Sequence, residues 1–173
     1  MTGDPILEFD GEYRWLSNFY DYVIDLGGLM FPSAEHGFQA AKTLDPEERK
    51  RVQLARSPGQ AKRIGRELTL RPDWEDVKLE VMRLVVAAKF PPDGALTSRL
   101  LETGDRILVE GNHWHDTYWG ACWVPLWTTD ERYGLPMWAE QQHEDKTTDQ
   151  LRGENHLGLL LMERRQQLRE VTA

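Results

Sequence analysis

The sequence predicts an α+β fold, a single mostly helical domain over residues 1–173 with a few short strands. Three observations carry that expectation. Helix-capping residues stand beside prolines at Pro32-Ser33, Asp45-Pro46 and Ser57-Pro58. A long helical period runs from Asp73 to Lys89, and the β-branched and aromatic runs are short and flanked by glycine turns.

In chain order, Ile6-Leu7-Glu8-Phe9 reads as extended, and Val23–Leu26, Gly27-Gly28 and Leu29–Phe31 read as a hairpin. Ser33 caps a first helix, Asp45 a second with Pro46 at its first position, and Ser57 a third that ends near Gly65. In the fourth, Trp74, Val77, Val81, Leu84, Val85 and Ala88 make one apolar stripe, and Pro91-Pro92 stops it. A short helix over Ala95–Glu102 ends at Gly104, Ile107–Val109 reads as a strand, and a last helix spans Asn155 to about Glu170. Residues 111–153, rich in Trp, Pro and acids, have no clear period.

A chain of 173 residues, 40% of them hydrophobic and seven of them Trp, can bury a full core. The formal charge of -8 excludes a broad electrostatic grip on nucleic acid or an anionic membrane, but leaves room for a small basic pocket. Cys122, the single cysteine, rules out an intrachain disulfide and a cysteine-based zinc site. The start Met1–Pro5 has no basic-then-apolar pattern, and the apolar runs at Val85–Ala88 and Leu157–Met162 are too short to span a bilayer. A cytoplasmic protein with no membrane contact is expected.

The helix opened by Ser33 places Glu35, Gln39 and Lys42 on one face, beside the apolar stripe Ala34, Phe38 and Ala41. That pattern fits either a solvated face with a helical ion pair or a pocket wall. His113 and His115 with Asp116 have no third ligand at a recognisable spacing, so no metal and no cofactor is expected. The surrounding Trp114, Tyr118 and Trp119 fit either ordinary core or a stacking platform for a flat ring. Lys62, Arg63 and Arg66 concentrate positive charge that could hold a phosphate or simply be solvated, and the helix start at Asn155 offers free N–H groups.

Taken together, the segments resemble the NADAR family, which includes YbiA-like N-glycosidases. The matching pieces are Trp15–Phe19, Phe31–Lys42, Ser57-Pro58 with Ala61–Arg66, Trp74, Lys78, Met82, Ala88–Phe90, Leu108–Glu110, Asp116–Gly120 and Asn155–Arg164, all in the family's order. Each alone is a weak signal; in this order over about residues 9–165 they are specific. Two departures stand out. Gly37 replaces a usual aromatic, which would widen a pocket beside Glu35, and the stretch Ala121–Arg152 is longer than in short bacterial members.

The resemblance implies hydrolysis of a ribose–amine bond. The known substrates of such proteins are ADP-ribosylated guanine, free or in nucleic acid, and early riboflavin-pathway intermediates. It marks Glu35, Trp74, Asp116 and Trp119 as site residues, with Lys42 and Asn18 close behind. Glu35 is then expected to activate water or stabilise the sugar cation, and Asp116 to hold the ribose or share the acid–base work. Trp74 and Trp119 would stack on the base, and Gln39 would contact substrate. Arg63, Arg66 and Asn155 would hold phosphate. A lysine, Lys42 first and Lys89 second, could instead capture the opened sugar as an imine. The preferred substrate is ADP-ribosyl-guanine, any nucleic acid being gripped locally, because the long stretch from Ala121 can cover more than a monophosphate. A riboflavin intermediate is the alternative. A non-catalytic ADP-ribose sensor is the rival from another class.

Overall fold

In a computed structural model that describes residues 3–123 and 151–172, the chain is an α+β domain built largely of helices. Most of the long stretch from Ala121 to Arg152 therefore lies outside the described residues, except for its two ends. A 3₁₀ turn at Gly11–Leu16 leads into the hairpin β1 (Ile24–Leu26) and β2 (Leu29–Phe31). Its turn residues Gly27 and Gly28 have φ of 66° and 84°, the left-handed pair that a two-residue hairpin loop requires.

Helices α1 (Ala34–Ala40), α2 (Pro46–Gln53) and α3 (Pro58–Gly65) start at the expected caps, with the Ser33, Asp45 and Ser57 side chains accepting first-turn N–H groups. The three pack on one another. Helix α4 (Trp74–Lys89) crosses α1, β1 and α6 (His156–Thr172), and α5 (Thr97–Glu102) leans on α6. The apolar stripe expected on α4 is rotated in the fold: Met82, Val86 and Lys89 are buried with Trp74 and Val85, while Leu84 is 53% exposed. Contact with neighbours on more than one side broadens the buried face beyond a single stripe.

The stretch with no clear period supplies strands: β3 (Gly111–Asn112) pairs parallel with β4 (Ala121–Trp123), which pairs antiparallel with β5 (Leu151–Arg152). Such short pieces are below what periodicity detects. The segment entering β3 also bonds to the N-terminus, with the Ile6 N–H donating to Ile107 O and the Val109 N–H to Ile6 O. Among the described residues no helix is long and apolar enough to cross a membrane.

Candidate active site

Every residue of α1 is buried, so Glu35 and Gln39 do not lie on a solvated face, and Lys42, just past the helix C-cap Ala41, is half-buried. Its first turn is fixed twice: the Ser33 hydroxyl caps it, and the Glu35 N–H donates to Asn18 O at 3.0 Å. Glu35 is 5% exposed, and its Oε1 accepts from Gln39 Nε2 at 2.8 Å. Burial raises the Glu35 carboxyl above its ordinary range, opposed by the Gln39 hydrogen bond and by Lys62 and Lys42, while Asp116 pushes it further up.

Lys42 lies one turn further on and is half-buried, its Nζ 5.7 Å from the Phe38 ring centre and 5.8 Å from that of Trp74. The Lys42 carbonyl accepts from Arg71 N at 2.8 Å, which fixes it beside the start of α4. Desolvation lowers the lysine's pKa, Lys62 and Arg66 lower it further, and Glu35 and Glu75 oppose. Lys62 in α3 and Arg66 at its C-cap both act on Lys42, whereas Arg63, a quarter-turn round from Lys62, is not among the charges that do.

Gln39 serves Glu35 more directly than it could serve a substrate. Its Oε1 is buried without a hydrogen-bond partner among the described residues, pressed against α3 where a Cβ at Gly65 would stand 1.9 Å away. Gly65→Ala is therefore expected to displace Gln39 and, through it, Glu35. The overpacking should cost about 1–3 kcal/mol. A thermal melt beside a steady-state assay checks this: stability and rate should fall together, and an unchanged rate would sever Gln39 from Glu35.

The aromatic side is a chain of rings. Phe38 lies 5.3 Å from Trp74 and 5.2 Å from Trp119, and Tyr118 lies 4.9 Å from Trp119 and 4.4 Å from His156. Trp74 is nearly sealed, so the half-buried Trp119 has more face to offer a ligand. The Asp116 Oδ1 holds this loop by accepting from the N–H groups of Tyr118 (3.2 Å) and Trp119 (2.9 Å). Asn112, bonded to both the N–H and the C=O of Asp116, braces it from behind.

Several expected placements differ. Most N–H groups at the start of α6 are already committed and not left for phosphate: those of Glu154, Asn155, His156 and Leu157 donate to the carbonyls of Thr117, Gly120, Tyr118 and Trp119. The Asn155 amide is likewise occupied, its Oδ1 accepting from Glu110 N and its Nδ2 donating to Leu108 O. Gly37 faces the hairpin, since a Cβ there would meet Ile24 Cδ1 at 2.9 Å, and it borders a cavity of about 150 Å³ behind α1 rather than the Glu35 side. The Asn18 side-chain amide donates to Met82 Sδ, while its backbone carbonyl accepts from Glu35 N. His113 turns to Glu8 and His115 to Cys122, and no metal-ligating group of three or more His, Cys, Asp or Glu occurs among the described residues.

Lys89 is 1% exposed and donates to the carbonyls of Leu16 (3.1 Å) and Ser17 (2.6 Å). Burial lowers its pKa to about 7, opposed by the facing Glu110. Glu110 is the site residue that pattern reading passed over. Desolvation and the nearby Asp116 and Glu35 raise its carboxyl to about 8, with Lys62 and Lys89 opposing. Its sequence signals were an acid ending the apolar run Ile107–Val109 and a place in the family-like segment Leu108–Glu110.

A desolvated carboxyl in α1 and a desolvated lysine just past its end, the lysine beside a chain of aromatic rings, suit the cleavage of a bond from sugar to nitrogen, and this is an enzyme of the N-glycosidase class. Known proteins agree in sequence and in shape. N-glycosidase YbiA of Escherichia coli (strain K12) is 36% identical over 170 residues, covering 95% of this chain and 89% of that protein. A riboflavin biosynthesis protein of Vibrio vulnificus (strain YJ016) is 40% identical over 65% of this chain and 31% of its own length. The NMR structure of Escherichia coli YbiA superposes with a TM-score of 0.73 at 34% identity, over 99% of this chain and 89% of that one. The chain belongs to the NADAR domain family, whose family model matches residues 8–169.

Proposed function

We propose that the enzyme removes ADP-ribose from guanine by hydrolysing the bond between the ribose C1 and a guanine nitrogen. The observation that carries this reading is the pairing of buried Glu35 in α1 with half-buried Lys42 in the turn just past its C-terminus, within the field of the positive pair Lys62 and Arg66. Breaking the bond develops positive charge on the sugar, which the Glu35 carboxylate stabilises while water or Lys42 takes C1. Trp119 offers a stacking face to the base, Asp116 keeps one carboxylate oxygen outside its loop hydrogen bonds for the ribose hydroxyls, and Lys62 and Arg66 suit a diphosphate. The charge of -8 favours a grip confined to the modified base over a long nucleic-acid track.

A second reading, hydrolysis of an early riboflavin-pathway ribosylamine, is favoured by the relative named as a riboflavin biosynthesis protein. Specificity constants for ADP-ribosylated guanine and for that ribosylamine phosphate separate the two readings, with free ADP-ribose as the diagnostic product of the first. The guanine substrate is expected to be preferred. A preference for the ribosylamine phosphate reverses the assignment, and tight binding of ADP-ribose without turnover of either makes the protein a sensor.

A further inference from the structure

We propose that Glu110 is the acid that protonates the departing nitrogen. The inference rests on the hydrolase reading above and holds whether water or Lys42 attacks C1, because the leaving nitrogen needs a proton in both routes.

The geometry separates three carboxyl groups by the work each already does. Glu35 Oε1 is an acceptor for the Gln39 amide, and Asp116 Oδ1 is an acceptor for two backbone N–H groups. The Glu110 carboxyl has no hydrogen bond to any described residue, and the residue is not sealed from solvent. Its main chain, by contrast, is locked. The N–H donates to Asn155 Oδ1 at 3.0 Å, the C=O accepts from Ala121 N at 3.0 Å, and a Cβ at Gly120 would stand 2.2 Å from that carbonyl oxygen. A fixed backbone with an uncommitted carboxyl suits a group that must present one proton in one place.

The charged groups facing Glu110 are Glu35 from α1, Lys62 from α3, Lys89 from α4 and Asp116 from the aromatic loop. Burial and the two acids outweigh the two lysines, so the carboxyl keeps its proton up to about pH 8 and is an acid at neutral pH. In the step itself the C1–N bond breaks, its electron pair moves to nitrogen, and the Glu110 proton follows to the same atom, leaving a carboxylate. Water bonds to C1 and gives its proton to Glu35, and exchange of that proton through solvent to Glu110 restores both groups.

The test compares wild type, Glu110→Gln and Glu110→Asp on ribosyl substrates whose leaving bases grade in basicity, ending in a pyridinium that departs neutral without a proton. Glu110→Gln is expected to lose about 10²–10⁴-fold on bases that need the proton and, where water attacks C1 directly, far less on the pyridinium, which cannot open to an imine. Glu110→Asp should retain part of the rate. Wild-type kcat/KM should fall as pH rises through about 8, because deprotonation removes the acid, and that fall should vanish in Glu110→Gln. An equal loss on every leaving base, or a wild-type profile with no alkaline fall, overturns the role. The wild-type profile decides even where a variant fails to fold. Wild type inert on every ribosyl substrate sinks the hydrolase reading and this role with it, whereas wild-type turnover left unchanged in Glu110→Gln sinks this role alone.

Discussion

Glu35→Gln is expected to fold normally and to turn over at least ~100-fold more slowly, within the 10²–10⁴-fold range of acid–base catalysis. The substitution leaves an oxygen where Gln39 Nε2 donates and keeps the volume against α3, so only the charge and the exchangeable proton are removed. Stability moves the other way from rate. Because burial raises the folded-state pKa of Glu35, the protonated form favours folding below its unfolded value, and that contribution is lost as pH rises through the folded value. Above its raised folded-state value wild type carries a buried charge that the variant lacks, so the melting temperature of Glu35→Gln should equal or exceed that of wild type there, by more as pH rises. A slow and stable variant marks a catalytic residue. Near-normal turnover would return Glu35 to a structural part.

The helix starts were legible because each is a local bargain between one side chain and one or two backbone N–H groups: Ser33, Asp45 and Ser57 cap where their sequence neighbourhood says they should. The Gly27-Gly28 turn was legible for the same reason. What pattern could not supply was the side to which a polar residue turns. Glu35, Gln39 and Lys42 share a face by spacing alone, but whether that face meets water depends on α3, whose Gly65 closes on Gln39 from a different part of the chain. Lys89, the second candidate for capturing the opened sugar, is sealed against the carbonyls of Leu16 and Ser17, contacts that no spacing along α4 announces. Asn155 looked like a phosphate-binding helix start, yet the loop carbonyls from Thr117 to Gly120 occupy those N–H groups. Glu110 shares no helix or loop with its partners, so only the tertiary fold joins it to Glu35, Asp116, Lys62 and Lys89.

Lys42 should be the residue whose loss costs most. Desolvation, with Lys62 and Arg66, lowers its pKa against the opposing Glu35 and so favours the neutral amine, the form in which a lysine attacks a carbonyl or imine carbon. Ring opening of the ribosylamine exposes C1 as an imine, the Lys42 nitrogen adds to it, the base leaves as an amine, and water then releases the sugar. Lys42→Met is expected to lose on the order of 10³-fold or more, toward the scale seen when a nucleophile is removed. Borohydride added during turnover should inactivate wild type by reducing the lysine–sugar imine to a stable secondary amine, which peptide mass analysis would locate at Lys42. Lys42→Arg separates the chemistry from the charge, since a guanidinium keeps the positive charge beside Glu35 but forms no imine. If Lys42→Arg recovers most of the rate and borohydride traps nothing, Lys42 serves only as a fixed charge and water attacks C1 directly under Glu35. If Lys42→Arg stays as slow as Lys42→Met and the adduct forms, the covalent route stands, and Glu35 assists the hydrolysis that frees the sugar from the lysine.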